Sequence, residues 1–220
     1  MMRALNIFRL PAVKIHGLLR AGTNYLEAVM AKNFRVKCLG SDEGGWKHGH
    51  CRLEPWKKYV FVVKNPYAWL VSFYDWEKIH NRTSARNLGE FIEQAVSHDQ
   101  LRLEWQAEHP IDVWNKALTS WSLDSTNVPS LFVRYEDLIN DFDTEMSRLR
   151  DYFKLTMRQR AFSNIESRVD TWPTPKPRKP FQIEYYKDHK YLADFKAANL
   201  ATIGQQLNTG LLSRFGYDVY

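Results

Sequence analysis

The chain has 220 residues, 44% of them apolar and 25% charged, with a formal net charge of +6. That length and apolar share exclude a disordered chain and suit one substantial core, while the positive balance favours anionic partners. Two cysteines, no apolar run of membrane-spanning length and no signal-peptide core in Met1 to Arg9 exclude a disulfide scaffold and predict a soluble, cytoplasmic protein.

In chain order, Leu5 to Leu10 has the pattern of an edge strand, and Ala12-Val13-Lys14-Ile15 alternates as a short strand does. His16-Gly17-Leu18-Leu19-Arg20-Ala21-Gly22-Thr23-Asn24-Tyr25 follows. Beyond it Leu26, Val29 and Met30 recur at helical spacing, and Asn33 offers a stop. Strand, glycine-bearing turn and helix together aim free backbone N–H groups at an anion. The helix N-terminus adds partial positive charge, and Arg20, Thr23 and Asn24 add side-chain donors. The stretch reads as a phosphate cradle, although an ordinary strand-to-helix turn has the same outline. It is not the common nucleoside-triphosphate loop, which requires Gly-Lys followed by Ser or Thr. Here Gly22 is followed by Thr23, and the nearest preceding cation is Arg20.

Between Arg35 and Pro55 the sequence turns polar and rich in glycine, and predicts an exposed loop carrying Trp46-Lys47-His48-Gly49-His50. Tyr59 to Val63 is a continuous apolar run that fits a buried parallel strand. Lys64-Asn65-Pro66 then switches the chain into a helix, with Asn65 suited to the N-cap and Pro66 to the first turn. That helix is predicted to run to about His80, with Trp69, Leu70, Phe73 and Trp76 on its apolar face. Lys64 at the strand end and Ser72 in the second turn can both face a ligand at the carboxyl edge of the sheet.

Asn81 to Asn127 reads as mostly helical, with Leu88, Phe91, Ile92 and Ala95 on one segment and Val113, Trp114, Ala117, Leu118 and Trp121 on another. Arg82, Arg86 and Arg102 can line an acceptor site, but a solvated face is the commoner role for such charges. Pro129 to Leu138 reads as a third buried strand with its exit turn. A helix through Met146, Leu149, Tyr152 and Phe153 follows. Trp172 to Pro180 holds four of the nine prolines and reads as an extended basic stretch. Leu200, Ile203, Leu207 and Leu211 then keep helical spacing, with Gly216 as the stop. The expected fold is α/β, one domain over residues 1–220, with a central and mainly parallel sheet flanked by helices in a P-loop-like nucleotide-binding architecture.

Three motifs in order resemble the sulfotransferases that use 3′-phosphoadenosine 5′-phosphosulfate (PAPS). Arg20-Ala21-Gly22-Thr23-Asn24-Tyr25 is similar to the family's 5′-phosphosulfate loop. Lys64 with Ser72 eight residues later is similar to its 3′-phosphate motif, with lysine where the family usually has arginine. Val133-Arg134-Tyr135-Glu136-Asp137-Leu138 is similar to the segment whose tyrosine borders the adenine, which implies a purine held between Tyr25 and Tyr135. The resemblance also implies a late basic loop over the 3′-phosphate, here Arg178 and Lys179, although the family's Arg-Lys-Gly-x-x-Gly is missing. It implies transfer of a sulfuryl group to an acceptor hydroxyl of a glycan, lipid or small alcohol, with no metal. Arg20 would neutralise the leaving group and a histidine of the 46–50 loop would act as base. His48 with Lys47 assisting is the first choice and His50 the alternative. A histidine suits that task with a pKa near neutrality and no special tuning.

Two other readings compete. A small P-loop kinase shares the strand-loop-helix, but lacks the lysine after Gly22 and a clear magnesium-binding acid. A non-catalytic binder of anionic glycans would use the basic surface alone. Nucleic acid is disfavoured, because no dense Lys/Arg block with interleaved aromatics is present.

Overall fold

The computed structural model describes residues 10–39, 46–49, 53–96, 107–124, 127–165 and 183–220. Four parallel strands form one sheet in the order β2-β1-β3-β4, with β1 at Ala12–Gly17, β2 at Lys37–Leu39, β3 at Lys58–Val63 and β4 at Ser130–Arg134. The helices are α1 (Thr23–Asn33), α2 (Pro66–Ile79), α3 (Leu88–Glu93), α4 (Pro110–Asp124), α5 (Tyr135–Asn140), α6 (Phe142–Phe153), α7 (Ile183–Lys187), α8 (Ala197–Gln206) and α9 (Thr209–Phe215). A 3₁₀ turn at Lys190–Asp194 precedes α8.

The strand order fixes where a ligand can sit. From β1 the chain crosses through α1 to β2 on one side, and from β3 it crosses through α2, α3 and α4 to β4 on the other. Right-handed crossovers in opposite directions put these helices on opposite faces of the sheet. The carboxyl ends of β1 and β3 therefore flank the topological switch point, where open parallel sheets leave a crevice. The burial of every residue from Tyr59 to Val63 agrees with cover on both faces of β3. His16, Phe61 and Phe132 lie side by side in register across β1, β3 and β4, and Trp121 of α4 stacks on Phe61 with ring centroids 5.7 Å apart.

Four expectations need correcting. A short strand, β2, occupies residues 37–39 inside the stretch read as loop; among the described residues it pairs with β1 alone, and its Lys-Cys-Leu pattern is too short to signal. Tyr135 does not lie in a strand's exit turn but opens α5 directly. The C-terminal periodic stretch is two helices, because the chain is extended at Leu207 and the Asn208 side chain caps α9 by accepting from Leu211 N–H. The 46–49 segment is not exposed: Lys47, His48 and Gly49 are buried. Residues Leu5 to Arg9 of the predicted edge strand lie outside the described residues, and Leu10 is not in a strand.

Candidate active site

The cradle begins where β1 ends. A Cβ on Gly17 would lie 2.8 Å from both the Thr23 methyl and the Val62 carbonyl oxygen, so only glycine lets α1 start so close to the sheet. The loop after it is tied by its carbonyl groups. Ala21 N–H donates to the Leu18 carbonyl (3.0 Å), the Trp69 indole N–H donates to the Leu19 carbonyl (2.7 Å), and Lys64 Nζ reaches the Arg20 carbonyl at 3.5 Å. Arg20 and Gly22 both have positive φ, 68° and 101°. With its carbonyls drawn towards α2, the loop enters α1 with no side-chain cap on the helix N-terminus. The backbone N–H groups of the first turn, which no helix satisfies internally, are the donors an anion would use. Of the predicted cradle residues, Ala21 uses its N–H within the loop and supplies shape; Thr23 and Asn24 stand at the helix start.

The second group sits one strand away. Lys64, 4% exposed, donates from Nζ to Ser72 Oγ (2.7 Å) and to the Tyr186 hydroxyl (3.1 Å). The ammonium also lies 5.1 Å from the centroid of the Tyr135 ring and 5.0 Å from that of Tyr186, within cation–π range. Its turn is held from behind. The Asn65 side chain accepts from the N–H groups of Tyr67 and Ala68, a cap worth about 1 kcal/mol. Asn65 N–H donates to Glu136 Oε1 (3.0 Å), the Tyr217 hydroxyl donates to Glu136 Oε2 (3.0 Å), and the Trp114 indole donates to the Lys64 carbonyl (3.1 Å). Burial raises the Glu136 pKa above the usual carboxylate value, opposed by its hydrogen bonds with backbone N–H groups at Asn65 and Glu136.

His48 lies against the end of β1. Its Nδ1 is 2.6 Å from the Gly17 carbonyl oxygen, which can only accept, so Nδ1 carries the hydrogen and the neutral ring keeps its lone pair on Nε2. Burial is the main cause that lowers its pKa to about 4; hydrogen bonding at Gly17 and Leu18 opposes the shift, and the charges of Lys47 and Lys14 add to it. The expectation of a histidine near neutrality without tuning is therefore corrected, because the pocket keeps the ring neutral well below pH 6. His16, on the adjoining β1 face, is lowered further, to about 3, by burial first and then by Lys14 and His48. Lys47 Nζ donates to Asn24 Oδ1 (2.6 Å) and pairs with Glu27 at 3.3 Å, which joins the 46–49 segment to the first turns of α1. The Lys47 carbonyl accepts from Gly17 N–H at 3.0 Å.

Tyr25 and Tyr135 do not face each other across a slot. Their rings meet edge to face at 79°, with centroids 6.2 Å apart, so the parallel purine sandwich is corrected to a contact between the two tyrosines. Tyr25 is held there by its hydroxyl, which donates to Asn164 Oδ1 at 2.7 Å, and burial pushes its pKa up to about 12. His50, Arg178, Lys179 and Arg102 lie outside the described residues. Arg82 stacks on Trp76 and Arg86 pairs with Glu90 on an exposed surface, which suits the solvated-face role.

A family model described as a sulfotransferase domain matches residues 52–176, more than half of the chain. The chain belongs to the sulfotransferase family. The matched range takes in Lys64, Ser72 and Tyr135 of this sulfotransferase, while the cradle from Arg20 to Tyr25 precedes it. No curated protein matches the chain significantly. The crystal structure of mouse sulfotransferase SULT7A1 complexed with PAP is similar at 14% identity and a TM-score of 0.49, over 69% of this chain. The match spans 61% of that protein's length, and a likeness at this level transfers no residue role.

Several site residues carried no signal in sequence. Tyr186 meets Lys64 from 122 positions away, Trp69 read as a core aromatic, and Glu27, Lys14 and His16 gain their roles only when the 46–49 segment folds onto β1.

Proposed function

We propose that this sulfotransferase moves a sulfuryl group from PAPS to an acceptor hydroxyl, working as one domain over residues 1–220. The observation that carries the reading is the pairing of two anion-ready groups at the switch point of the sheet. One is the uncapped start of α1, and the other is the buried Lys64 ammonium shared with Ser72. Arg20, Gly22, Thr23 and Asn24 would hold the 5′ end of the nucleotide, and Lys64 and Ser72 its 3′-phosphate. The residues fit such a ligand: the helix N-terminus behind Gly22 carries no side-chain cap, and Lys64 brings a positive charge into a buried crevice.

PAPS supplies the sulfuryl group and leaves as adenosine 3′,5′-bisphosphate. His48, neutral with its lone pair on Nε2, accepts the acceptor's hydroxyl proton as the new O–S bond forms and the S–O bond to the nucleotide breaks. Arg20 offsets the charge that gathers on the departing oxygen. Lys47 orients Asn24 at the helix start and stands beside the base. A glycan, lipid or small alcohol supplies the hydroxyl. The cysteine count suits the cytoplasm, and no described helix is long and apolar enough to cross a membrane.

Calorimetry with adenosine 3′,5′-bisphosphate and adenosine 5′-monophosphate (AMP) tests the reading. The wild type is expected to prefer the bisphosphate, and Lys64→Ala and Ser72→Ala to lose about 1.5–3 kcal/mol of that preference each. Equal affinity of the wild type for the two nucleotides would overturn it.

A further inference from the structure

We propose that the amino-terminal edge of the sheet, opposite the crevice, is a docking face for an anionic lipid surface. All four strands are parallel, so the residues that precede them gather at one edge: Leu10 before β1, Arg35 before β2 and Trp56 before β3. Two helices end at the same edge. Lys58 Nζ donates to the Phe153 carbonyl (2.7 Å), which brings the end of α6 to the start of β3, and Leu123 closes α4 just before β4. Four of the seven exposed large apolar side chains among the described residues therefore share this edge: Leu10 (49%), Trp56 (77%), Leu123 (68%) and Tyr152 (48%). Single exposed apolar residues are ordinary on a soluble surface, but a gathering of them marks a place of contact.

The charges at this edge have one sign. Residues 31–37 contribute Lys32, Arg35 and Lys37, residues 154–161 contribute Lys154, Arg158 and Arg160, and neither segment holds an acid. All six cations are exposed residues. The two segments are fastened to each other, since Arg35 N–H donates to the Thr156 carbonyl and Arg158 N–H to the Asn33 carbonyl, both at 2.8 Å. Lys37 N–H donates to the Pro11 carbonyl (2.9 Å), which sets this basic strip beside Leu10. Two acids on the flanking elements are neutralised: Asp151 pairs with Arg150 (2.8 Å) and Glu54 with Lys57 (2.6 Å).

The mixture selects the partner. A nucleic acid or an anionic glycan would use the cations but leave the apolar side chains in water. A second copy of the chain would set like charges against each other. A bilayer surface takes both, because anionic headgroups attract the cations while tryptophan and leucine enter the headgroup region. Pro55-Trp56-Lys57-Lys58 brings the two kinds of contact together in one turn. Strands of six residues set the two edges of the sheet about 20 Å apart, so a docked molecule keeps its crevice open on the far side.

Flotation with vesicles of phosphatidylcholine alone, and with vesicles containing about 30% phosphatidylserine, tests the proposal. Wild-type binding to the anionic vesicles is expected to exceed binding to the neutral ones about tenfold or more at about 0.1 M salt, and to fall steeply at about 0.5 M. The double variant Arg35→Glu/Lys154→Glu is expected to lose about tenfold or more of that binding, and Trp56→Ser about fivefold, with thermal melts confirming the fold. A wild type that binds neither vesicle, or both equally, would overturn the proposal, as would binding that survives in both variants. Retention on immobilised heparin or RNA without vesicle binding would assign the cations to a polyanion instead, and a stable dimer in solution that Trp56→Ser dissociates would assign the face to a second copy; either result overturns the lipid surface. The substituted residues lie on separate elements, so a variant that fails to fold leaves the other to decide.

Discussion

Gly22→Ala probes the joint between the cradle and the tyrosine cluster, because two separate penalties meet at this residue. Its φ of 101° lies in the left-handed region, where an L side chain costs about 1–3 kcal/mol. The added methyl would also stand 2.3 Å from Cδ2 and 2.7 Å from Cε2 of Tyr135. Tyr135 has little room to yield, with Tyr25, Tyr186 and the Lys64 ammonium packed around its ring. Forcing a methyl into such a site costs about 1–3 kcal/mol more. The expected loss is therefore about 2–6 kcal/mol, or roughly 4–24 °C in melting temperature for a chain of this size. Urea unfolding of Gly22→Ala, Tyr135→Ala and the double variant separates the two penalties. The clash disappears in the Tyr135→Ala background and the backbone penalty stays, so the two substitutions should couple by at least about 1 kcal/mol. A Gly22→Ala loss below about 0.5 kcal/mol would refute both penalties. An equal loss in both backgrounds would refute the clash and, with it, the account of why the cradle needs glycine beside Tyr135.

The base assignment predicts a single-turnover transfer rate about a hundredfold or more lower in His48→Ala, with bisphosphate binding intact. If only His50→Ala loses rate, the base is His50. Because the His48 pKa is lowered to about 4, the wild-type transfer rate should stay level from pH 8 down to about 5 and fall only below that. A half-maximum near 6.5 would point to a histidine in an ordinary environment. Stability should show the same burial. His16 and His48 have folded pKa values of about 3 and about 4 against an ordinary 6.5, so their contribution is full above pH 6.5. As pH falls below 6.5 the unfolded chain takes up protons that the folded chain refuses, and stability falls by about 1.4 kcal/mol per pH unit for each ring. Urea titrations at pH 7.5 and 5.5 measure this, and a stability that is level or rises at pH 5.5 would contradict the buried pair.

The parts of the molecule that signal most strongly are those whose chemistry is local. Tyr59 to Val63 announces a strand because five apolar residues in a row need cover on both faces, and Asn65-Pro66 announces a helix because cap and first turn are set by adjacent residues. The strand, turn and helix of the cradle were legible for the same reason. What was hidden depends on distant partners. A glycine-flanked Lys-His looks solvated, yet the Gly17 backbone at the end of β1 holds Lys47 and His48, and the Trp121 indole, 72 positions away, donates to the Gly49 carbonyl at 3.3 Å. Tyr25 and Tyr135 both stood out in the sequence, but their edge-to-face contact is set by Asn164 on one side and Tyr186 on the other. Asn33 looked like a helix stop and does end α1. Its side chain also exchanges hydrogen bonds with the Ser163 backbone, which fastens the segment that carries Asn164.

These contacts couple the two anion-ready groups into one rigid measure. Helix α2 supplies Ser72 to the Lys64 ammonium and, through Trp69, a hydrogen bond to the Leu19 carbonyl of the cradle. Lys64 reaches back to the Arg20 carbonyl from the same turn. The span between the cradle and the Lys64–Ser72 pair is thus set by a single helix and the paired strands beneath it, since Gly17 and Val62 are in register across β1 and β3. The turn cannot drift away from the sheet, because Glu136 holds Asn65 N–H and is itself held by Tyr217 from the C-terminal end of the chain. If the proposed nucleotide binds there, such a site would recognise the distance between its two phosphates as much as the charge on either. It would then disfavour a nucleotide with one phosphate, because the buried Lys64 charge would be left without its anion, and burial makes that omission costly. The same rigidity would set the sulfuryl group beside the His48 wall of the crevice, so that selection of the nucleotide and alignment of the reaction come from one set of contacts.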